Sequence, residues 1–233
     1  MTDQNDFEQA IERAVGSLKF MDTIAPEEFP YIDLYMDQVT TFMERKLRST
    51  LRNPDDKILT KTMINNYAKN DLIPPPVKKK YTREHMFELL FIFYFKSFLS
   101  IGDIQTLLTP MSEHFFGNGR KAYGVEDIYS EILKMGKGAR ASLKEEMADK
   151  KEKADAAFED APEEYRDYLR KFAYICELGY DIFLKQNIIE HMIDDMADSI
   201  AAEREEKEFR REAEKEAARR AAKEAKRAAS GKE

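Results

Sequence analysis

The sequence predicts a mostly α-helical protein. Gly and Pro account for only 9 and 8 of the 233 residues, well below their combined share of ~12% in an average protein. Charged residues make up 36% of the chain against the usual ~25%, and apolar residues recur at three- and four-residue intervals. These observations favour helices over sheets.

The amphipathic pattern and the helix caps predict the elements of the first seventy residues in order. One helix is expected over residues 7–18 and a second over about 33–51, followed by a turn-rich stretch at 52–57. Thr60 suits the N-cap of a short helix over 61–70.

A basic wing is predicted after this short helix. Pro74, Pro75 and Pro76 cannot continue a helix and force an extended chain into the segment 77–81. Side chains alternate in an extended chain, so we expect Lys78 and Lys80 on one side and Lys79 on the other.

The next two helices are expected to belong to the core. Thr82 suits an N-cap, and the residues after it are apolar nearly all round the helix, which predicts a helix covered on most sides. Ser100 begins a capping-box pattern for a further helix through Leu108, which we expect Pro110 to end.

The C-terminal half has the pattern of long helices. One is expected over about 125–158, interrupted at its glycines, and a second from Pro162 with an apolar seam close to every 3.5 residues. Residues 201–233 form a charged, helical or disordered tail. The expected regions are an N-terminal arm over 1–30, a compact domain over 31–110, a helical dimerisation or interaction region over 120–200, and the tail.

Composition restricts the class of protein. No run reaches the ~18 apolar residues of a membrane span, and residues 1–15 lack the basic-then-apolar layout of a signal peptide. Cys176 is the only cysteine, so an internal disulfide and a cysteine-rich metal site are excluded. We therefore expect a cytoplasmic protein that makes no membrane contact.

No catalytic constellation stands out. Glu113-His114 could be half of a metal or acid/base site, but a polar loop histidine is the favoured interpretation. One helix offers possible ligands for a divalent ion, and a solvated face is favoured there too; these residues are Glu190, His191, Asp194, Asp195 and Asp198. We expect no enzyme activity, no cofactor and no metal site.

Charge is unevenly distributed along the chain. Residues 45–85 contain eleven basic and four acidic residues, a net charge of +7, so the remainder carries -14. A solvated face and a polyanion-binding surface are both open from charge alone. The order of parts between residues 59 and 108 favours the second. The block begins with a short helix, which follows another helix and a turn. A basic wing, a buried helix and a capped helix come after it. This order is the layout of a winged helix-turn-helix.

Three stretches of this block resemble MerR-type regulators. Residues 59–75, LTKTMINNYAKNDLIPP, resemble the recognition helix with its following tyrosine, leucine-isoleucine and proline. Lys80-Tyr81-Thr82 is similar to the wing tyrosine of that family, and residues 99–108, LSIGDIQTLL, to its next helix. The asparagines and the Lys-Lys-Lys-Tyr wing resemble more closely a MerR-related bacterial family of unknown function.

The resemblance covers residues 33–110 and departs from MerR proper in three places. Asn65 and Asn66 stand where arginine and an aromatic residue are usual, Asp71 replaces a glycine, and the turn over 49–58 is longer. The resemblance implies a mostly α fold with a short β wing and long C-terminal helices, which regulates transcription by binding double-stranded DNA. The cysteines of metal-sensing members are absent.

The residue chemistry is compatible with DNA. Asparagine pairs bidentately with adenine in the major groove, so Asn65 and Asn66 are candidates for base reading, the alternative being helix capping or solvation. The wing lysines suit phosphates or a minor groove, with Tyr81 packed beneath as an anchor. The candidate DNA-binding residues are Thr60, Lys61, Thr62, Asn65, Asn66, Lys69, Lys78, Lys79, Lys80, Tyr81 and Arg83.

The resemblance also implies a homodimer, antiparallel through the long C-terminal helix. The candidate dimerisation residues are Tyr165, Leu169, Phe172, Cys176, Phe183, Ile189, Ile193 and Met196. An intramolecular hairpin with residues 125–158 would use the same apolar surface.

Two other function classes stay open: a protein-interaction module that uses the winged helix as a scaffold, and an enzyme built on the carboxylate-rich helices. An effector of unknown identity or a further protein partner is also open.

Overall fold

The computed structural model describes residues 2–17, 24–53, 55–117 and 123–230. Within these residues the chain is mostly helical, with one two-stranded antiparallel sheet and a long C-terminal helix, which confirms the predicted class at that level. The elements are α1 (Thr2–Ser17), β1 (Leu34–Tyr35), α2 (Met36–Leu47), α3 (Lys61–Lys69), β2 (Lys80–Tyr81), α4 (Arg83–Phe95), α5 (Ile101–Phe115), α6 (Val125–Asp155) and α7 (Glu163–Ser230). Short 3-10 helices cover Pro26–Glu28 and Arg48–Thr50.

The chain divides into two compact units, residues 1–188 and 189–233. The first contains the predicted arm, the predicted compact domain and most of the predicted helical region. The second continues α7 as far as Ser230, and its polar side chains are mostly exposed. No helix among the described residues combines the length and apolar character needed to cross a membrane.

Helix α4 is the centre of the first unit, as its all-round apolar sequence predicts. Met86, Phe87, Leu89, Leu90 and Ile92 are all fully buried. Helices α5 and α6 and strand β2 contact it. Burying an apolar side chain of this size contributes roughly 1.5–3 kcal/mol to stability, so α4 supplies a large part of the core.

Aromatic packing joins the N-terminal segment to this core. The Tyr129 ring, from α6, stacks on Phe87 and meets the edge of Phe29. Its hydroxyl donates a hydrogen bond of 2.7 Å to the Ile24 carbonyl. Residues 24–29 are therefore held against α4 and α6, although they form little regular structure.

The sheet has a buried face and an exposed face. Leu34 pairs with Tyr81 and Tyr35 pairs with Lys80. Leu34 and Tyr81 are buried, whereas Tyr35 is exposed. Successive side chains of a strand alternate between its faces, so the sheet packs one residue of each strand on the core and presents the other outward.

Four predicted details differ from the structure. The predicted helix over 33–51 begins with strand β1 and ends at Leu47, because Leu34 and Tyr35 pair with the distant residues 80 and 81. The wing is not simply extended but turns at Lys78 and Lys79. Helix α5 passes through Pro110, since Ile104, Leu108 and Met111 continue one buried face across it and outweigh the ~3 kcal/mol cost of an internal proline. The glycines of α6 do not interrupt that helix.

Candidate nucleic-acid interface

Helix α3 presents five of the candidate residues on one exposed face. The Thr60 hydroxyl accepts a hydrogen bond from the Met63 amide at 3.2 Å, which confirms the predicted N-cap. Ile64 and Tyr67 are buried on the opposite face, and α2 contacts this helix. The exposed candidates are Lys61, Thr62, Asn65, Asn66 and Lys69. An apolar rear face thus fixes a surface of amide, hydroxyl and ammonium groups.

Neither Asn65 nor Asn66 caps α3 with its side chain. Thr60 caps the start of the helix, and at its end the Asn70 side-chain amide donates to the Asn66 carbonyl at 2.8 Å. Both asparagine amides are therefore directed outward from an ordered helix.

A left-handed residue ends this helix. Asp71 has φ 55°, and the Leu72 amide donates to the Tyr67 carbonyl at 2.8 Å. Leu72 and Ile73 then enter the core. Glycine adopts this left-handed conformation without a steric cost, so Asp71 stands at a position that suits glycine.

The wing is a tight hairpin with lysines at both central positions of its turn. Val77 and Lys80 pair across the turn, and the Lys80 amide donates to the Val77 carbonyl at 3.0 Å. Lys78 and Lys79 have φ values of 51° and 64°, in the left-handed region. Such two-residue turns favour Asn-Gly, because left-handed backbone costs other residues roughly 1–2 kcal/mol each. The lysines are therefore held in a conformation that their own chemistry disfavours.

His85 anchors the hairpin to the core. Its Nδ1 accepts a hydrogen bond from the Thr82 amide at 3.0 Å, and its Nε2 lies 3.1 Å from the Pro74 carbonyl. Burial lowers the pKa of His85 to about 4, although the bond to Pro74 opposes this shift. The ring is therefore neutral, with Nε2 donating to Pro74, and it joins the chain on both sides of the turn to α4.

Two of the candidate residues point inward. Tyr81 is buried beneath the hairpin, in the anchoring place expected for it, and its ring meets the edge of His85. The Arg83 side chain is only 11% exposed; it bonds Glu126 at 2.8 Å and the Pro26 carbonyl, and lies over the Tyr31 ring at 3.9 Å. Arg83 thus joins three segments of the fold, and neither residue belongs to the exposed surface.

Ion pairs reduce the free charge of the basic segment unevenly. Lys46 pairs with Glu28, Arg48 with Glu44, and Lys61 with Asp37 on α2. In the described chain, by contrast, Lys69, Lys78 and Lys79 form no ion pair, and all three are exposed. The Lys80 ammonium lies 5.4 Å from the centre of the Tyr35 ring. Exposed positive charge without an ion pair in the described chain therefore lies at the hairpin and the end of α3, and also at Arg45, Arg52 and Lys57.

The candidate dimerisation residues fall in both units. In the first, Tyr165, Phe172, Cys176 and Phe183 are exposed and Leu169 is half-buried. In the second, Ile193 is buried, Ile189 is half-buried and Met196 is exposed.

Helix α6 pairs with a different side of α7. The Tyr174 hydroxyl lies 3.3 Å from Met147 Sδ, and Lys150 pairs with Asp181 at 2.7 Å. The two helices do form contacts within one chain, but these leave the apolar seam of the first unit uncovered.

The structure brings no metal-binding cluster together in the residues it describes. No three His, Cys, Asp or Glu side chains there are arranged to hold an ion. The most unusual buried acid is Glu88 on α4, which accepts a 2.7 Å hydrogen bond from Ser112 while its second oxygen bonds nothing in the described chain. Burial raises the pKa of Glu88 to about 8. Glu88 could not be singled out from the sequence, because a single acidic residue in an apolar helix matches no motif.

Part of the chain matches a known protein family. Residues 24–132 match a family model described as a domain of unknown function, DUF1836. The matched region runs from the Ile24 carbonyl to just beyond Tyr129, the two groups joined by the buried hydrogen bond, and it includes α3, the hairpin and α4. No curated protein and no solved structure matches the chain. Over these residues the chain is therefore similar to DUF1836.

Proposed function

We propose that this protein binds double-stranded DNA as a homodimer and regulates transcription, with α2 and α3 as a helix-turn-helix and the 77–80 hairpin as its wing. The observation that carries the proposal is the hairpin turn. Lys78 and Lys79 are exposed, form no ion pair within the described chain, and occupy left-handed backbone that favours other residues. Strained conformations of this kind cluster at binding sites, where charge placement outweighs stability.

Helix α3 supports the same function. Its exposed face presents two asparagine amides, which match the donor and acceptor pattern of adenine in the major groove. Thr62 and Lys69 lie on that face and suit phosphate oxygens. We also propose a cytoplasmic location, because the free thiol of Cys176 suits a reducing compartment.

The dimer is proposed from an unusual face of α7. At ~100° per residue, the charged side chains between residues 165 and 184 all fall on one side of the helix, which leaves an arc of about 220° without charge. Those charged residues are Arg166, Asp167, Arg170, Lys171, Glu177 and Asp181. The charge-free face carries seven large side chains that are at least half exposed: Tyr165, Tyr168, Phe172, Ile175, Tyr180, Ile182 and Phe183.

The area of this face suits a second copy of the chain. Seven such side chains expose roughly 700 Å² on each copy, if each contributes about 100 Å². A standard protein interface buries ~800 Å² on each partner. A face without charges also pairs with itself at no electrostatic cost. Cys176 lies near its midpoint, so antiparallel pairing would bring the two cysteines together.

DNA selection tests the first part of the proposal. Purified protein is mixed with random duplexes, and bound sequences are enriched over several rounds. We expect an inverted repeat with adenines at fixed positions, because a two-fold dimer reads a two-fold site. No enrichment, together with a protein partner captured by the winged region, would favour the protein-docking alternative.

Sedimentation measurements test the second part. Phe172→Glu places a charge on the apolar face and is expected to convert dimers to monomers. Met135→Glu changes an exposed apolar residue of α6 instead, and should leave the dimer intact. Mild oxidation should link wild-type dimers through Cys176. A monomeric wild type would contradict the dimer and leave the DNA selection to decide the rest.

A further inference from the structure

The outer face of the sheet carries a row of three side chains. Val77 pairs with Lys80, and Lys80 pairs with Tyr35, so the three side chains lie on the same face of neighbouring strands. Val77 is 67% exposed and Tyr35 is 54% exposed. An aliphatic group, an ammonium group and a phenol thus form one continuous surface beside the two turn lysines.

The fold does not require the phenol of Tyr35. This residue occupies the N-cap of α2, where Ser, Asp or Asn is favoured, and its own side chain caps nothing. The Gln38 side-chain oxygen accepts a hydrogen bond of 2.9 Å from the Tyr35 backbone amide, which any residue other than proline at position 35 could donate. The phenol hydroxyl has no partner within the described chain.

The ring of Tyr35 instead positions a charge. The Lys80 ammonium lies over it at 5.4 Å, a distance at which the ring face attracts a cation. A long lysine side chain loses less conformational freedom on binding when it is already held in place. Tyr35 and Lys80 together therefore form an ordered donor pair.

We propose that Tyr35 and Lys80 bind one backbone phosphate of duplex DNA, with the Tyr35 hydroxyl and the Lys80 ammonium as the two donors. The inference rests on the proposed function and adds a contact that the sequence did not reveal. The two strands and the bridged Val77, at ~4.8 Å spacing, span about 10 Å, which is wider than the ~6 Å minor groove, so the row lies along the sugar-phosphate ridge. Val77 then packs on the sugars beside that phosphate.

The test compares two tyrosine variants on the selected duplex. Tyr35→Phe keeps the ring beneath Lys80 and removes only the hydroxyl. We expect affinity to fall about 3- to 10-fold, with the salt dependence unchanged, because a neutral donor displaces no counterion. Lys80→Ala should also lower the slope of log affinity against log salt by ~0.9. Tyr31→Phe is the matched control, since that exposed ring lies under Arg83 rather than Lys80, and it should bind as wild type.

The outcomes separate the inference from the function on which it rests. If Lys78→Ala/Lys79→Ala weakens binding while Tyr35→Phe binds as wild type, the phosphate contact is overturned and the proposed function stands. A wild type that binds no duplex overturns both. Melting temperatures should match for Tyr35→Phe and wild type, because the lost hydroxyl bonds nothing in the described chain, so unfolding would not explain a loss of affinity.

Discussion

His85 Nε2 lies 3.1 Å from the carbonyl oxygen of Pro74, eleven residues earlier in the chain. This contact, with the bond from Thr82 to Nδ1, holds both ends of the hairpin segment to the central helix α4. The position of the wing therefore depends on a histidine that is neutral in the folded protein.

Acid should lower the free energy of unfolding through the protonation of His85. Its pKa is lowered to about 4 in the fold against about 6.5 when unfolded, so its contribution is complete above pH 6.5 and decreases as the pH falls towards 4. We expect a loss approaching ~1.4 kcal/mol per pH unit in that window relative to His85→Gln, which keeps one donor and one acceptor. Urea unfolding at pH 6, 5 and 4.5 measures it. Parallel curves for the two proteins would contradict this origin.

Glu88 should act in the opposite direction. Its pKa is raised to about 8 from 4.5, so its contribution is complete below pH 4.5 and is lost as the pH rises through 8. Between pH 6.5 and 8, wild type should lose ~2 kcal/mol relative to Glu88→Gln. Urea unfolding across that range measures the difference, and the account of Glu88 fails if the gap stays constant.

Relief of strain in the hairpin should separate stability from binding. Replacing Lys78 by Asn and Lys79 by Gly supplies the residues that this turn favours, so the melting temperature should rise by several degrees. DNA affinity should fall because two phosphate contacts are lost. Calorimetry and a binding titration measure the two effects.

Asp71→Gly is the control for that experiment. It relieves the same kind of strain, at φ 55°, outside the proposed interface. We expect a gain of ~0.5–1 kcal/mol in unfolding free energy with no loss of DNA affinity. If both variants weaken binding equally, the hairpin lysines have no special role.

Arg83 should be structural rather than a DNA contact. Arg83→Met removes the bond to Glu126 and the bond to Pro26, which should cost ~2 kcal/mol of stability. The salt dependence of DNA binding should keep its wild-type slope, because no phosphate contact is lost. A reduced slope in a stably folded variant would place Arg83 on the DNA after all.

Base reading should depend on the α3 amides. Asn65→Ala and Asn66→Ala leave the buried face of the helix intact. The residue that reads adenine should lose ~1–3 kcal/mol of discrimination at one position of the site, with little change in binding to unrelated DNA. Repeating the selection with each variant identifies that position; an unchanged selected sequence would leave only phosphate contacts to α3.

The elements fixed by local signals could be predicted from the sequence. Thr60 marks the start of α3, and the apolar run after Thr82 predicts the buried α4, because caps and periodicity act within a few residues. Strand β1 could not be predicted, since its two residues become a strand only by pairing with residues 80 and 81. The end of α5 was predicted too early, because the prediction relied on Pro110 alone. Tertiary packing instead keeps the chain helical beyond that proline.

The candidate site was predictable in outline but not in orientation. Composition identifies the basic segment, whereas only the fold shows that Arg83 and Tyr81 turn inward and that Asp37 pairs with Lys61. Tyr35 could not be singled out from the sequence, because the role proposed for it depends on pairing with Lys80, 45 residues later in the chain. Left-handed backbone at Lys78 and Lys79 carries no sequence signal, since lysine is an unusual residue for it.

The salt dependence of DNA binding tests the central claim most directly. Affinity for the selected duplex is measured between 50 and 200 mM salt for wild type, Lys78→Ala/Lys79→Ala, and Lys137→Ala/Lys144→Ala, a control pair of exposed lysines on α6 with the same change in charge. We predict that the hairpin variant binds more weakly and that its slope falls by up to about 1.8, or ~0.9 for each lost phosphate contact, while the control stays near wild type. Equal effects of the two variants, or a wild type without salt-sensitive binding, would contradict the wing as a DNA-binding element.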